Sequence, residues 1–191
     1  MHVRLFAIAA VALSIGLIAG CGEDEEAPAQ KSFKGVSEGD MESLSGVSAQ
    51  MREFSAAYTD FIAASEKEDV DAAQQSVDAM TAAVDEARSA AEGIESDDLG
   101  ATLDDYIGKM DDVGQTSGAV VDYFAEPSGG SAKQEKRLIA DFEEAVLAAR
   151  DADRDLLARI EKSATPEQRT ELRKELEEAQ QEFREKTGSG G

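Results

Sequence analysis

Residues 70–94, VDAAQQSVDAMTAAVDEARSAAEGI, decide how this chain folds. Apolar or alanine side chains recur there at alternating steps of three and four residues: Val70, Ala73, Val77, Met80, Val84, Ala87, Ala91 and Ile94. Because an α-helix turns about once every 3.6 residues, this spacing places all of them on one face. Asp69 stands just before the stripe, where its carboxylate can accept a hydrogen bond from a free amide. The stretch predicts an amphipathic helix behind an Asp69 N-cap.

Three other stretches repeat this spacing and predict three more amphipathic helices. The first contains Met41, Leu44, Val47, Met51, Phe54, Tyr58, Phe61 and Ile62. The third contains Leu99, Leu103, Tyr106, Met110, Val113, Ser117, Val120 and Phe124, and the fourth Leu138, Phe142, Ala145, Val146, Ala149, Ala152, Leu156 and Ile160. Turns are predicted near Lys67, near Glu95 and over residues 126–131, where Pro and Gly break the period. Each helix should span roughly 26 to 32 residues.

The four stripes must share one core, because a single amphipathic helix buries too little surface to be stable alone. Short connections between helices of matched length favour antiparallel neighbours. The three-four spacing favours packing at a small crossing angle. The sequence therefore predicts an all-α fold: an antiparallel up-down four-helix bundle with coiled-coil-like seams over residues 38–163. We expect a monomer, with a coiled-coil dimer as the competing arrangement.

A charged C-terminal helix is predicted over residues 164–187, followed by a disordered tail at 188–191. Thr165-Pro166-Glu167-Gln168 combines an N-cap, a proline at the first helical position and a Gln that can bond back to the cap. A narrow apolar stripe follows at Leu172, Leu176, Ala179 and Phe183. The stripe leaves open whether this helix folds back on the bundle or continues the fourth helix.

The first 20 residues predict a signal peptide. Arg4 is the only basic side chain before Lys31, and residues 5–19 are almost wholly apolar. Secretory signals combine a cationic start with such an apolar run. The run is shorter than the about 20 apolar residues that a membrane-spanning helix needs, so we expect cleavage. Residues 21–37, with an acidic run at 23–26, predict a flexible acidic tether.

The apolar run ends in Leu17-Ile18-Ala19-Gly20-Cys21. This segment resembles the lipobox of bacterial lipoproteins, in which a branched apolar residue precedes small residues and an invariant Cys. The resemblance implies that cleavage follows Gly20, that the thiol of Cys21 receives a diacylglyceryl group, and that lipid holds the protein at the extracytoplasmic face of the cell membrane. Two acyl chains give stable anchoring, because each buried CH₂ contributes about 0.8 kcal/mol. An ordinary signal peptide ending in a chance Cys is the alternative.

The cysteine and histidine content excludes several function classes. Cys21 is the only Cys and His2 the only His. If Cys21 carries lipid and His2 leaves with the signal peptide, the mature chain can form no internal disulfide, no Cys-His or Ser-His-Asp machinery and no zinc site built from these residues. We predict no catalytic residue, no cofactor and no metal ligand, and hence a protein that is not an enzyme.

The chain is strongly acidic, with 41 Asp and Glu against 19 Lys and Arg and a net charge of -22. This balance argues against a nucleic-acid partner, because phosphate binding relies on clustered basic side chains. Acidic pairs recur every seven residues along the third helix, at 97–98, 104–105 and 111–112. Adjacent side chains diverge by about 100° around a helix, so no single pair can enclose a cation. We interpret the pairs as a solvated outer face.

These observations favour a non-enzymatic binding or scaffold module, anchored by lipid at the cell envelope, with another envelope or surface protein as its partner. The alternative is a lipid-anchored binder of a small apolar or cationic ligand in or on the bundle. Alanines of the second helix could either close the bundle or leave room for such a ligand. A large core pocket would favour the ligand binder, whereas converging buried carboxylates would favour an enzyme.

Overall fold

In a computed structural model of the chain, the structure describes residues 37–125 and 131–163. These residues form four helices: α1 (Glu38–Glu66), α2 (Val70–Ala91), α3 (Asp97–Ala125) and α4 (Ala132–Ser163). No strand occurs among them. The all-α prediction is confirmed, and each helix contains one of the four stripes. The predicted signal peptide, Cys21, residues 22–36 of the tether, the charged helix at 164–187 and the tail at 188–191 lie outside the described residues.

Side-chain caps start the first two helices. Ser37 Oγ accepts a hydrogen bond from Asp40 N at 3.0 Å, and the Asp40 carboxylate accepts one from Ser37 N at 2.9 Å. Asp69 Oδ1 accepts from Ala72 N at 3.1 Å, which confirms the predicted N-cap of α2. In the turn between these helices, Glu68 adopts a φ of 58°, a left-handed conformation that costs roughly 1–2 kcal/mol for a residue with a side chain.

The predicted length of roughly 26 to 32 residues per helix is wrong for α2, which has 22. The stripe continues in step to Ile94, but the helix ends at Ala91 and a turn follows at 92–93. The reason is a tertiary contact: Asp40 Oδ1 on α1 accepts hydrogen bonds from Glu95 N at 2.8 Å and Ser96 N at 3.4 Å. A carboxylate of another helix thus satisfies amides that would otherwise bond within α2.

Successive helices pack against each other in the order α1 on α2, α2 on α3 and α3 on α4. Aromatic side chains connect the last helix, α4, to the first helix, α1. The Phe142 ring of α4 lies 6.2 Å from Tyr58 and 6.0 Å from Phe61 of α1, measured between centroids. The backbones of α1 and α4 stay farther apart than those of the three sequential pairs. The arrangement is the predicted antiparallel up-down bundle.

One core runs through the bundle and draws on all four stripes. Its largest fully buried side chains are Phe54, Phe61, Phe142, Met80, Leu99, Leu103, Ile107 and Met110. Each such side chain contributes about 1.5–3 kcal/mol when it leaves water. Leu147 on α4 is the exposed large apolar side chain of the described residues, at 54%. Within the same residues, no helix is both long and apolar enough to cross a membrane.

Candidate functional site

A concave surface lies on the solvent side of α1 and α2. It is an open groove of about 830 Å³. Its floor consists largely of alanines from both helices: Ala56, Ala57, Ala63, Ala64, Ala72, Ala79, Ala82 and Ala83. Its rim carries Glu53 and Asp60 of α1, Glu86 of α2, and Lys67 and Asp69 of the turn between the two helices. We call these residues together the α1/α2 groove.

Alanine explains why this groove exists. The backbones of α1 and α2 approach more closely than those of any other helix pair described. Ala57, Ala64 and Ala83 are buried between the helices, whereas Ala56 and Ala79 are exposed on the outer side. Because an alanine side chain ends at Cβ, it permits the close approach and leaves the outer valley unfilled. Alanine also has the highest helix propensity, so both helices tolerate this composition without loss of stability.

The alanines of α2 fall into two groups, one that closes the core and one that lines the open groove. Inward-facing Ala73, Ala83 and Ala87 are at most 4% exposed and close the core. The room that alanine creates lies outside, in the α1/α2 groove. Sequence reasoning missed this surface, because it appears only when the alanines of α1 and α2 are known to face each other.

The rim of the groove is electrostatically unbalanced. Four carboxylates, those of Glu53, Asp60, Asp69 and Glu86, accompany one ammonium group, that of Lys67. Asp69 is engaged as the N-cap of α2. Within residues 37–125 and 131–163, Glu53, Asp60 and Glu86 make no ion pair. The groove therefore presents uncompensated negative charge beside an apolar floor.

A second polar feature lies in the seam between α3 and α4, where the Tyr106 hydroxyl donates a hydrogen bond to the Asp153 carboxylate. Burial raises the pKa of Asp153 to about 6, although the hydrogen bond from Tyr106 and the nearby charge of Arg154 both act to lower it. Burial also raises the pKa of Tyr106 well above its ordinary value, and the Asp153 charge adds to this. The hydroxyl therefore stays protonated at neutral pH.

Two carboxylates outside the acidic pairs of α3, those of Asp40 and Asp153, are buried or half-buried. Asp153 sits between the core positions Ala149 and Leu156 and turns partly inward. Asp40 is 2% exposed. Burial acts to raise the pKa of Asp40, but hydrogen bonds from Ser37, Glu95 and Ser96 outweigh it and hold the pKa below its ordinary value. Asp40 remains ionised and joins the start of α1 to the α2–α3 turn.

Another polar contact borders the same α3/α4 seam. Arg159 Nη1 donates to Thr102 Oγ1 at 3.2 Å, and Arg159 Nε lies 2.8 Å from a carboxylate oxygen of Asp155. Together with the Tyr106–Asp153 pair, this contact shows that α4 is held to α3 partly by polar groups. The carboxylates of Asp153 and Asp155 are both half-buried beside this seam.

The acidic pairs of α3 are exposed at Asp97, Asp98, Asp104, Asp105 and Asp112. Asp111 is half-buried and forms an ion pair with Arg88 of α2. Among the described residues, no three or more His, Cys, Asp or Glu side chains converge into a group that could hold a metal ion.

The aromatic and methionine side chains of the stripes occupy the core. Tyr58, Tyr106, Met51, Met80 and Met110 are all buried. Burial raises the pKa of Tyr58 to about 12. A cavity of about 20 Å³ lies beside Val70, Val120 and Phe124 near the α1–α2 turn. A cavity of that size holds about one water molecule, so it is too small for an organic ligand.

The predicted lipid site, Cys21, lies outside the described residues, so the structure does not place it. Comparison with known proteins adds no identification: no family model, no curated protein and no solved structure matches the chain.

Proposed function

We propose that the chain is a lipid-anchored extracytoplasmic protein that acts as a non-enzymatic binding or scaffold module at the cell envelope, with the α1/α2 groove as its binding surface. One observation carries this proposal: an elongated groove of about 830 Å³ combines an apolar floor with rim carboxylates that have no cation partner in the described residues. Such a surface gains free energy by burying its methyl groups and by pairing its charges with a second molecule.

The shape of the groove favours a macromolecular partner over a small ligand. Small-molecule sites usually enclose most of the ligand surface and are lined by large apolar and aromatic side chains. The α1/α2 groove is open along its length, and alanine supplies half of its lining. The alternative function, binding of a small apolar or cationic ligand, therefore has less support than binding of an envelope or surface protein.

The position of the groove along α1 agrees with anchoring through Cys21. The tether would enter the bundle at Ser37, and the groove begins at Gln50. At about 1.5 Å per residue, the near end of the groove lies roughly 18 Å from the start of α1. The point at which the tether would join α1 therefore does not overlap the groove, so anchoring through Cys21 is compatible with binding there.

Two experiments test this function separately. The anchor is tested by fractionating cells that express the wild type or Cys21→Ser; we expect the wild type in the membrane fraction and the variant released from it. The groove is tested by placing a photocrosslinking amino acid at Ala79 or, as a control, at Ala119 on the exposed face of α3. Crosslinking of the same proteins from both positions would contradict a role for the groove, and membrane retention of Cys21→Ser would contradict the anchor.

A further inference from the structure

The dimensions of the α1/α2 groove match a third helix lying along the pair. Along α1 and its C-cap the lining runs from Gln50 to Lys67, which at about 1.5 Å per residue corresponds to roughly 25 Å. A helix of about 17 residues has this length. Helices pack with axes about 8–10 Å apart, and short side chains at the contact allow the lower end of that range.

The floor determines which face such a helix would present. The exposed methyl groups of Ala56, Ala79 and Ala82 line the valley between the two helices. Because these side chains are short, larger apolar side chains of an incoming helix can occupy the space between them. The contact favours a narrow apolar stripe, since only one face of the incoming helix meets the alanine floor.

The rim determines the charges beside that stripe. Glu53 and Asp60 stand on the α1 side of the groove, and Glu86 stands on the α2 side. A docked helix would therefore have two carboxylates on its α1 flank and the Glu86 carboxylate on its α2 flank, with the Lys67 ammonium group at one end of the groove. Lys or Arg at the positions next to its apolar stripe would pair with these carboxylates, whereas Glu or Asp there would be repelled.

We infer that the α1/α2 groove binds a basic amphipathic helix of a partner protein, with a narrow apolar stripe flanked on both sides by Lys or Arg. This inference rests on the proposed binding function and names the class of partner. A second copy docked groove to groove would bring identical carboxylates together. Residues 164–191 carry seven Glu against five Lys and Arg, and although Arg173 lies beside their apolar stripe, Glu175 and Glu182 do as well, so their charge fits the rim less well than that of a helix flanked by Lys or Arg alone.

The test uses residues 21–191 with Cys21→Ser, and fluorescence anisotropy of a labelled synthetic peptide. The probe is a 21-residue helix with a Leu and Ala stripe flanked by Lys; its control is a peptide of the same composition with Leu and Lys scattered around the helix. We expect the amphipathic peptide to bind at least tenfold more tightly than the scattered one. Equal binding of the two peptides would overturn the inference.

Matched variants separate the groove from net charge. One variant carries Glu53→Lys, Asp60→Lys and Glu86→Lys. The matched control carries Asp98→Lys, Asp104→Lys and Asp105→Lys on α3, where all three side chains are exposed. Net charge changes equally in both. We expect at least a tenfold loss of peptide affinity in the first and less than threefold in the second; equal losses would overturn the inference.

A neutral pair of variants applies if the charge-reversed groove variant does not fold. Ala56→Gln with Ala79→Gln fills the valley at exposed positions, and Ala101→Gln with Ala119→Gln adds the same atoms to the exposed face of α3. Peptide affinity should fall at least tenfold only in the first pair. An unchanged affinity in the first pair would place the peptide elsewhere and overturn the inference.

Thiol labelling identifies any other occupant of the groove. Since Cys21 is the only Cys, Ala79→Cys in the Cys21→Ser chain is a unique thiol, and Ala119→Cys is its control. Without peptide, both should react equally with a maleimide. Protection of Ala79→Cys that disappears on dilution would assign the groove to a second copy; protection relieved by Leu176→Asp would assign it to residues 164–191. Either result would overturn the inference. If the peptide does not bind but crosslinking from Ala79 persists in cells, this class of partner is rejected. The proposed binding function is then not contradicted.

Discussion

Helix α1 meets its two neighbours in opposite ways. Towards α2 it presents alanines and Gly46, and a Cβ added at Gly46 would lie only 3.2 Å from the Cβ of Ala90. Towards α4 it presents Tyr58 and Phe61, whose rings lie 6.2 Å and 6.0 Å from that of Phe142. Short side chains bring one pair of backbones together, and aromatic rings hold the other pair apart.

The two faces of α1 therefore contribute to different properties of the protein, one mainly to stability and the other mainly to binding. The aromatic side chains between α1 and α4 fill the interior and remove large apolar surfaces from water, so this seam contributes strongly to folding. The contact between α1 and α2, which we call the alanine seam, buries little surface per residue but forms the outer groove. We expect substitutions between α1 and α4 to act mainly on stability, and exposed substitutions along α1 and α2 to act mainly on binding.

Removal of the Phe142 ring should have the largest effect on folding. Phe142 is 2% exposed and contacts two aromatic rings of α1. Phe142→Ala removes this packing and leaves a cavity, which should lower the free energy of unfolding by about 3–5 kcal/mol. Urea denaturation measures this change. Leu147→Ala, at the exposed position on the same helix, should cost less than about 1 kcal/mol. Comparable losses in the two variants would contradict the aromatic seam.

Overpacking of the alanine seam should have the next largest effect. Ala83 is 4% exposed between α1 and α2. Ala83→Leu would force the closely spaced backbones apart, at a cost of about 1–3 kcal/mol. Ala82→Leu, at the exposed neighbouring position, should change stability by no more than about 0.5 kcal/mol. If thermal unfolding shows Ala83→Leu to be as stable as Ala82→Leu, the two helices do not approach as closely as described.

The helices could be predicted from the sequence because their three-four spacing is preserved along each stripe. Asp69 was identifiable as a cap because it is an acidic residue immediately before such a stripe. The end of α2 could not be predicted in this way, because Ile94 stays in step with the stripe and the decisive group, the Asp40 carboxylate, belongs to α1. Gly93 was the one local signal for an earlier end.

The α1/α2 groove and the inward position of Asp153 were harder to predict from the sequence than the helices. Alanine is compatible with buried and exposed positions alike, so the floor of the groove has no pattern of its own; it becomes visible once α1 and α2 are paired. Asp153 carried a weak signal, since it lies four residues after Ala149 and three before Leu156, at the edge of the stripe. Its inward orientation depends on the Tyr106 hydroxyl of another helix, which the sequence does not place.

The polar seam between α3 and α4 should give the bundle a pH dependence opposite to that of Asp40. The folded state raises the pKa of Asp153 from 3.8 to about 6, so it disfavours the charged form. Asp153 therefore lowers the free energy of unfolding above pH 6, and this destabilisation disappears as the pH falls towards 4. Asp40, whose pKa is lowered, contributes stability above its ordinary pKa and loses it at lower pH.

Asp153→Asn isolates this contribution. Relative to the variant, the wild type should gain about 1–2 kcal/mol of unfolding free energy between pH 7 and pH 4, a value reduced from the full shift because the group is partly exposed. Urea denaturation at several pH values measures the difference. Glu144→Gln, at an exposed position on α4, removes one carboxylate without this effect. Parallel pH profiles for the wild type and Asp153→Asn would contradict the raised pKa.

Substitution of glycine by alanine should have the smallest effect, and it tests whether other parts of the bundle are packed as closely as α1 and α2. Gly114 on α3 is buried, yet an added Cβ would meet no atom within 4 Å. Gly114→Ala should therefore gain helix propensity without a clash, and stabilise the bundle by about 0.5–1 kcal/mol. Gly46→Ala adds the same methyl group where the Ala90 Cβ lies 3.2 Å away, so the clash should cancel the gain. Thermal unfolding should show a rise of a few degrees for Gly114→Ala and none for Gly46→Ala. Equal stabilisation by both substitutions would mean that α1 and α2 can separate without cost, and that the contrast between the two seams of α1 is smaller than the structure indicates.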